Sequence, residues 1–288
     1  MNIRLLSGLF LLVLLGAASL WLLGSSLIAV APYPVALPPS LGAQPLSLAA
    51  GPGQVVAASF VPAGDSAGKA GVLLLHGNRS DRRQMAARAR FLHEQGYAVM
   101  LIDLPGQGAS TSPAVTFGLL EAEGVRAALE ALRRRVPGKR IGVIGVSLGA
   151  ASLVLCKDCP PVDAAVLESM YPTIEEAVED RLRMRLGAAG VPLSRLLLWQ
   201  LPLRLGIRTS ELRPIERMDQ LDMPLLVVAG SEDRHTLLAE TERIYAAAKA
   251  PKSLWVVQGA AHVDLHEYVP AAYEARVGEF LARHLNTP

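Results

Sequence analysis

The 288-residue chain predicts an α/β fold, a mostly parallel sheet covered by helices. Three observations carry this. From about residue 54 onward, short apolar, β-prone runs alternate with longer helical patterns. The pentapeptide Gly145-Val-Ser-Leu-Gly149 sits between one such run and a small-residue segment that reads as a helix, the strand–turn–helix setting of a nucleophile elbow. Further short polar motifs follow the apolar runs, where the carboxyl ends of parallel strands converge on one edge of a sheet.

Residues 5–31 carry no charge and are rich in Leu, Ala, Gly and Val. Roughly 20 such residues span a bilayer as a helix, so this segment is long enough to do so with some tilt. The amino terminus and Arg4 are the only charges nearby, and none follows until Asp65. The positive-inside rule then leaves the N-terminus in the cytoplasm and exports the rest across a bacterial inner membrane. Ala29-Val30-Ala31 has the form of a cleavage site, so secretion after signal-peptide removal is the alternative. The long apolar core and Pro32 argue for an uncleaved anchor. The expected organisation is an anchor over 1–31, a Pro/Ala-rich tether over 32–53 with an edge strand near 44–49, and one large domain over 54–288.

Within that domain the expected strands are 54–61, 71–75, 97–102, 140–146, 162–167, 224–229 and 254–257. The expected helices are 81–95, 116–135, the segment after the pentapeptide, 237–249 and 271–284. Residues 171–223 are too many for an ordinary connection. They hold a charged amphipathic stretch, 175–185, and an apolar one, 191–205, which read as two helices capping the carboxyl edge, with Pro202 ending or kinking the second. The formal net charge of +2 is too small for a nucleic-acid footprint. Arg133-Arg134-Arg135 reads as a solvated helix end. Cys156 and Cys159 fit either a small disulfide or two unreactive thiols, and no matching Cys or His pair suggests zinc.

A serine hydroxyl needs a base within hydrogen-bond reach and a third group to orient that base. Ser147 is the candidate nucleophile. Of six histidines, His262 in Gln258-Gly-Ala-Ala-His262 follows the last strand and is the best base, with His266 second. Asp233, in Gly230-Ser-Glu-Asp233, is the best orienting acid, with Glu232 and Glu168 as rivals. The order Ser, Asp, His is the one this chemistry uses on open α/β sheets. The oxyanion of a tetrahedral intermediate needs preset N–H donors. Leu148, at a helix start, supplies one, and Asn78 in His76-Gly77-Asn78 the second, with His76 structural.

Together with Asp103-Leu-Pro-Gly-Gln-Gly-Ala-Ser110, these motifs resemble the α/β-hydrolase superfamily over residues 54–286, nearest to bacterial prolyl-oligopeptidase-like and serine-aminopeptidase-like esterases. The resemblance implies an α/β-hydrolase fold. It also implies Ser147 as nucleophile, Asp233 as acid, His262 as base, and Asn78 and Leu148 as oxyanion donors. This chemistry needs no metal or organic cofactor, and no cluster of ligands in the sequence suggests one. Asp103 and Ser110 match a structural turn of the family. Gln107 departs from it, standing where many relatives carry an aromatic residue or histidine. The leading expectation is an exported, membrane-tethered serine hydrolase of esters or thioesters acting on a small or lipid-like acyl substrate. Peptide or amide cleavage, or a non-catalytic binding module, are the alternatives. The acyl group and the oligomeric state are not legible in the sequence.

Overall fold

In the computed structural model, residues 3–64, 69–249 and 251–286 are described; the extreme ends of the expected anchor and domain lie outside them. In chain order the elements are α1 (Ile3–Ile28), β1 (Gln44–Gly51), β2 (Gln54–Val61), β3 (Gly71–Leu75), α2 (Ala86–Glu94), β4 (Ala98–Ile102), α3 (Leu119–Arg135), β5 (Ile141–Val146) and α4 (Leu148–Leu155). There follow β6 (Ala164–Glu168), α5 (Ile174–Leu186), α6 (Gly190–Leu198), α7 (Leu201–Leu205), β7 (Leu225–Gly230), α8 (Leu238–Ala247), β8 (Lys252–Val257), α9 (Leu265–Tyr268) and α10 (Pro270–Leu285).

The strands pair into one eight-stranded sheet, β1-β2-β4-β3-β5-β6-β7-β8. β1 and β2 join antiparallel at one edge, and every pair from β4 to β8 is parallel. β3 shows why its sequence is an unbroken apolar run. Leu73 and Leu75 join the core on one face with α3, α4 and α8, while Val72 and Leu74 join the other with α2 and α10. A strand covered on both sides has no position for a polar residue.

Three expected boundaries shift. The helix expected from residue 81 opens with a 3-10 turn, Arg82–Met85, capped by the Asp81 carboxylate on the Arg83 N–H. α3 begins at Leu119, not Thr116. The buried Glu121 carboxylate accepts from the Thr116 N–H and hydroxyl and the Gly118 N–H, which fixes the chain before the helix starts. The segment between β6 and β7 forms three helices, not two. Pro202 falls in the first turn of α7, where a missing N–H costs nothing, so it starts a helix after the break at Trp199-Gln200. These helices share a small apolar cluster of Ile174, Leu198, Leu201 and Leu212, which rests on Leu155 at the end of α4. Cys156 and Cys159 close a disulfide just past that helix, with Cα atoms 5.6 Å apart.

Residues 29–43, the end of the expected anchor and the start of the expected tether, run along the domain. The Tyr33 N–H donates to the Gly108 carbonyl (2.8 Å), its hydroxyl to Asp81 (2.8 Å), and Arg82 donates to the Val35 carbonyl (2.7 Å). Leu41 is buried in the core.

α5 is also held to α8 by a carboxyl pair, Asp180 and Glu240. Burial and the adjacent Asp180 charge push Glu240 up to about 8, so it keeps its proton at neutral pH and bonds Asp180. The folded chain therefore holds a proton that the unfolded chain, with its ordinary value of 4.5, releases. Stability contributed by this pair is present at low pH and lost as pH rises through about 8. Glu240→Gln is expected to flatten the fall in melting temperature across that window and to gain about 2–4 °C at its alkaline end. Parallel melting-temperature profiles for the two proteins would contradict it.

Candidate active site

β5 ends at Val146, and Ser147 turns the chain into α4 with φ 49° and ψ −109°. A non-glycine residue at positive φ outside the ordinary left-handed well is strained and persists only where its surroundings hold it. Here the Ser147 N–H donates to the Glu168 carbonyl at the end of β6, 2.7 Å away. Close approach also explains a glycine two residues on. A Cβ on Gly149 would lie 2.6 Å from the Leu75 carbonyl oxygen, so any side chain there would drive α4 off β3.

Two loops carry the other predicted residues to the same carboxyl edge. Past β7, Asp233 is 3% exposed. Its Oδ1 accepts the His235 N–H (2.8 Å) and the Thr236 N–H (3.0 Å), and its Oδ2 faces His262 Nδ1 at 2.7 Å. Burial alone would raise this carboxyl. The hydrogen bond and charge of His262, with the Thr236 and His235 amides, nevertheless hold it below the ordinary carboxylate range. An ionised carboxylate only accepts, so Nδ1 carries a proton, and in the neutral imidazole the lone pair is on Nε2. The acid and base loops are lashed together. The Glu232 N–H donates to the Ala260 carbonyl (2.9 Å) and the Gly259 N–H to Ser231 Oγ (2.8 Å).

The loop after β3 lies against the serine. A Cβ on Gly77 would be 3.8 Å from that of Ser147. Its geometry is set from within. The Gly77 N–H donates to Gln84 Oε1 (2.9 Å) and the Arg79 N–H to Gln107 Oε1. The Asn78 N–H between them, and the Leu148 N–H at the start of α4, take no acceptor among the described residues. Leu148 directly follows the serine, and Asn78 directly follows Gly77, which packs against it. His76 is wholly buried and structural. Its Nδ1 bonds the Gly77 carbonyl (2.7 Å) and its Nε2 accepts the Leu104 N–H (2.9 Å). Burial holds its pKa down, so it is neutral, as that pairing needs. Asp103, behind the same loop, is an anchor, accepting from the Arg82 N–H and guanidinium and the Ala109 N–H.

The rival residues are engaged elsewhere. Glu232 is exposed. His266 is buried against Tyr273 and Phe91 and pairs with Glu274 at 2.9 Å. Glu168 receives Arg88 (2.8 Å) and the Tyr273 hydroxyl, while Arg88 also reaches Asp264 (2.7 Å). This charged cluster beneath the nucleophile turn is almost wholly buried.

Sequence reasoning passed over two residues. His235 stacks on the His262 ring with centroids 4.7 Å apart and planes 29° from parallel. Burial, then the charge of His262, pushes its pKa down. Its position two residues past the acid was a visible signal. Gln107, noted only as a departure, braces the Asn78 loop.

Residues 72–276 match the model of the alpha/beta hydrolase family. A protein of Mycobacterium tuberculosis described as uncharacterized is 36% identical over 199 residues, covering 67% of this chain and 63% of that one. One from Bacillus subtilis, described likewise, is 24% identical over 201 residues, 67% of this chain and 65% of that one. The match thus spans a little under two thirds of the length of these relatives. Among solved structures, an esterase of Pyrococcus furiosus aligns with TM-score 0.72 at 24% identity, covering 89% of this chain and 98% of that one. A membrane phospholipase A described as a bacterial virulence factor aligns with TM-score 0.63 at 20% identity, covering 98% and 99%. At these identities the likeness is one of fold.

Proposed function

We propose, from the premise that this chain belongs to the alpha/beta hydrolase family, that it is a serine hydrolase of ester or thioester bonds. The observation that carries the reading is the Asp233–His262 hydrogen bond of 2.7 Å, on the sheet edge that also bears the strained Ser147. In this reading Ser147 Oγ attacks the acyl carbon and its proton passes to His262 Nε2. The oxyanion is held by the N–H groups of Asn78 and Leu148. The proton then goes to the leaving alkoxide or thiolate as the acyl bond breaks, leaving an acyl-enzyme. Water, deprotonated by His262, attacks that ester, and Ser147 recovers its hydrogen. Asp233 stays ionised throughout and keeps the imidazole in its working orientation.

The reading includes a membrane tether, with the N-terminus cytoplasmic and the catalytic domain on the far side. Ser7–Ile28 is apolar enough to span a bilayer, and Arg4 lies at its entry. The far end of α1 supports an anchor over a cleaved leader. The Val115 N–H donates to the Ile28 carbonyl (3.1 Å) and Arg204 to Ser25 Oγ (2.9 Å), so cleavage after Ala31 would remove contacts the domain uses.

The test is covalent. Folded wild-type protein is expected to take up one fluorophosphonate probe, with the mass shift on the tryptic peptide containing Ser147. Absence of labelling in a folded chain, or labelling elsewhere, would overturn the assignment.

A further inference from the structure

α6 and α7 run almost end to end and divide their leucines between two stripes. Leu197, Leu198 and Leu201 are buried in the cap. Leu196, Trp199 and Leu203, spaced three and four residues apart, face outward and are 53%, 70% and 62% exposed. An outward apolar stripe containing a tryptophan is unusual on a monomer's surface and marks a contact face.

Its place in the fold says what covers it. Arg204, next to Leu203, lays its guanidinium 3.7 Å over the Trp21 ring of α1 and bonds Ser25 Oγ. Gln200, next to Trp199, donates to the Leu20 carbonyl (3.2 Å). Gly24 is buried beneath that glutamine side chain. Between Leu9 and Leu23, by contrast, nearly every side chain of α1 is exposed. Counted from Ser7 to Leu23, the uncovered helix is about 25 Å long, most of the thickness of a bilayer's hydrocarbon core. A membrane fitted to that stretch ends where the cap takes hold. Trp21 and Trp199 then both lie at headgroup depth, the level aromatic belts occupy.

The same end of α1 also touches the candidate site's own loops. Arg79, adjacent to Asn78, donates to the Ser26 carbonyl (3.2 Å), and Val115 to that of Ile28. The carboxyl edge of the sheet therefore faces the side from which α1 arrives.

We propose that Leu196, Trp199 and Leu203 form a membrane-seating face. The cap rests in the interface of the bilayer that α1 spans, and the site opens toward that bilayer to take acyl esters resident in it. The proposal rests on the hydrolase and anchor readings above and adds the substrate's location.

The chain has three tryptophans, Trp21, Trp199 and Trp255, so single-tryptophan forms are accessible. Full-length protein carrying Trp21→Phe and Trp255→Phe is reconstituted into vesicles of phosphatidylethanolamine and phosphatidylglycerol, with and without lipids brominated on their acyl chains. Trp199 emission is expected to be quenched by the brominated lipids. Should Trp199 stay unquenched while Trp21, alone in the companion form, is quenched, the span stands and the seating face is refuted. If neither is quenched, the anchor falls too. If Trp199 becomes shielded with rising protein-to-lipid ratio but never quenched, a second copy of the chain covers the stripe, which also refutes the proposal.

Turnover provides the second arm. Leu196→Glu/Leu203→Glu is expected to lose about tenfold or more on a long-chain ester presented in the same vesicles and to retain wild-type turnover of a short soluble ester. Equal losses on both would overturn the seating role. A wild type inert toward both esters would defeat the hydrolase reading, leaving the quenching result to decide the seating face by itself.

Discussion

Ser147→Ala is expected to lower ester turnover by about 10⁵–10⁶-fold while leaving the fold intact. No other serine among the described residues joins a positive φ to the start of a helix. The one adjacent serine at a strained strand end, Ser169, follows β6 with φ 46°, but it is not the residue that opens a helix with free N–H donors. His262→Ala should cost nearly as much, because the serine is inert without a base. Asp233→Asn should cost about 10⁴-fold. An asparagine can donate an N–H to the imidazole, favouring the tautomer whose Nε2 carries the proton and cannot accept one from the serine. The three losses should not add. A double variant of Ser147 and His262 is expected to be no slower than either alone, and steady-state kinetics on a chromogenic short-chain ester would measure this. Additive losses would mean that these residues do not act as a unit.

Arg88→Met is expected to destabilise the domain by about 3–5 kcal/mol, a fall in melting temperature of about 6–20 °C. The guanidinium is 1% exposed and bonds two carboxylates, Glu168, itself 1% exposed, and Asp264, besides packing over the Tyr273 ring. Removing it strands the Glu168 charge in the core, where desolvation is uncompensated. The variant Arg88→Met/Glu168→Leu, which removes both charges, should recover most of the loss. Asp264 can bear this, because its Oδ1 still accepts the His266 and Glu267 amides that start α9. Thermal denaturation of the single and double variants separates the cases. A double variant as unstable as the single would show that packing of the arginine stem, not charge pairing, is what matters. The cluster also underlies the nucleophile turn through the Glu168 carbonyl, so the single variant should lose turnover as well.

What could be read in the sequence was short-range or imposed by topology. Gly145-Val-Ser-Leu-Gly149 announces its turn within five residues, because strand, tight bend and helix crowd together there. Asp233 and His262 are 29 positions apart, yet both follow strands of one parallel sheet, whose ends must share an edge. The edge strand near residue 44 was visible from its position before the core. Less legible features depended on contacts between distant loops. Arg88 and Glu168 meet across 80 positions, so Glu168 looked like a rival acid and its partner was invisible. The stacking of His235 on His262 needs two loops in register. Pro202 is legible as the point that ends or kinks the second cap helix, and the interruption at Trp199-Gln200 falls just before it. That a further short helix resumes there is not legible, because a first turn tolerates proline equally well. Residues 29–43 lack any periodic pattern, and their hold on the domain runs largely through main-chain groups such as the Tyr33 N–H and the Val35 carbonyl, which leave no trace in side-chain order.

Under the membrane tether proposed above, that hold would set the height of the domain over the bilayer. A slack leash of the same length would let the domain sample a hemisphere of solution, and its encounters would be set by leash entropy and three-dimensional search. Tyr33, Val35 and Leu41 instead hold the chain leaving α1 against the domain. In that tethered reading, a mount of this kind would confine collisions to a thin layer around the helix axis. The encounter rate is then governed by how fast substrate drifts within that layer, and lengthening the strap with glycine and serine would change reach without touching a single reacting group.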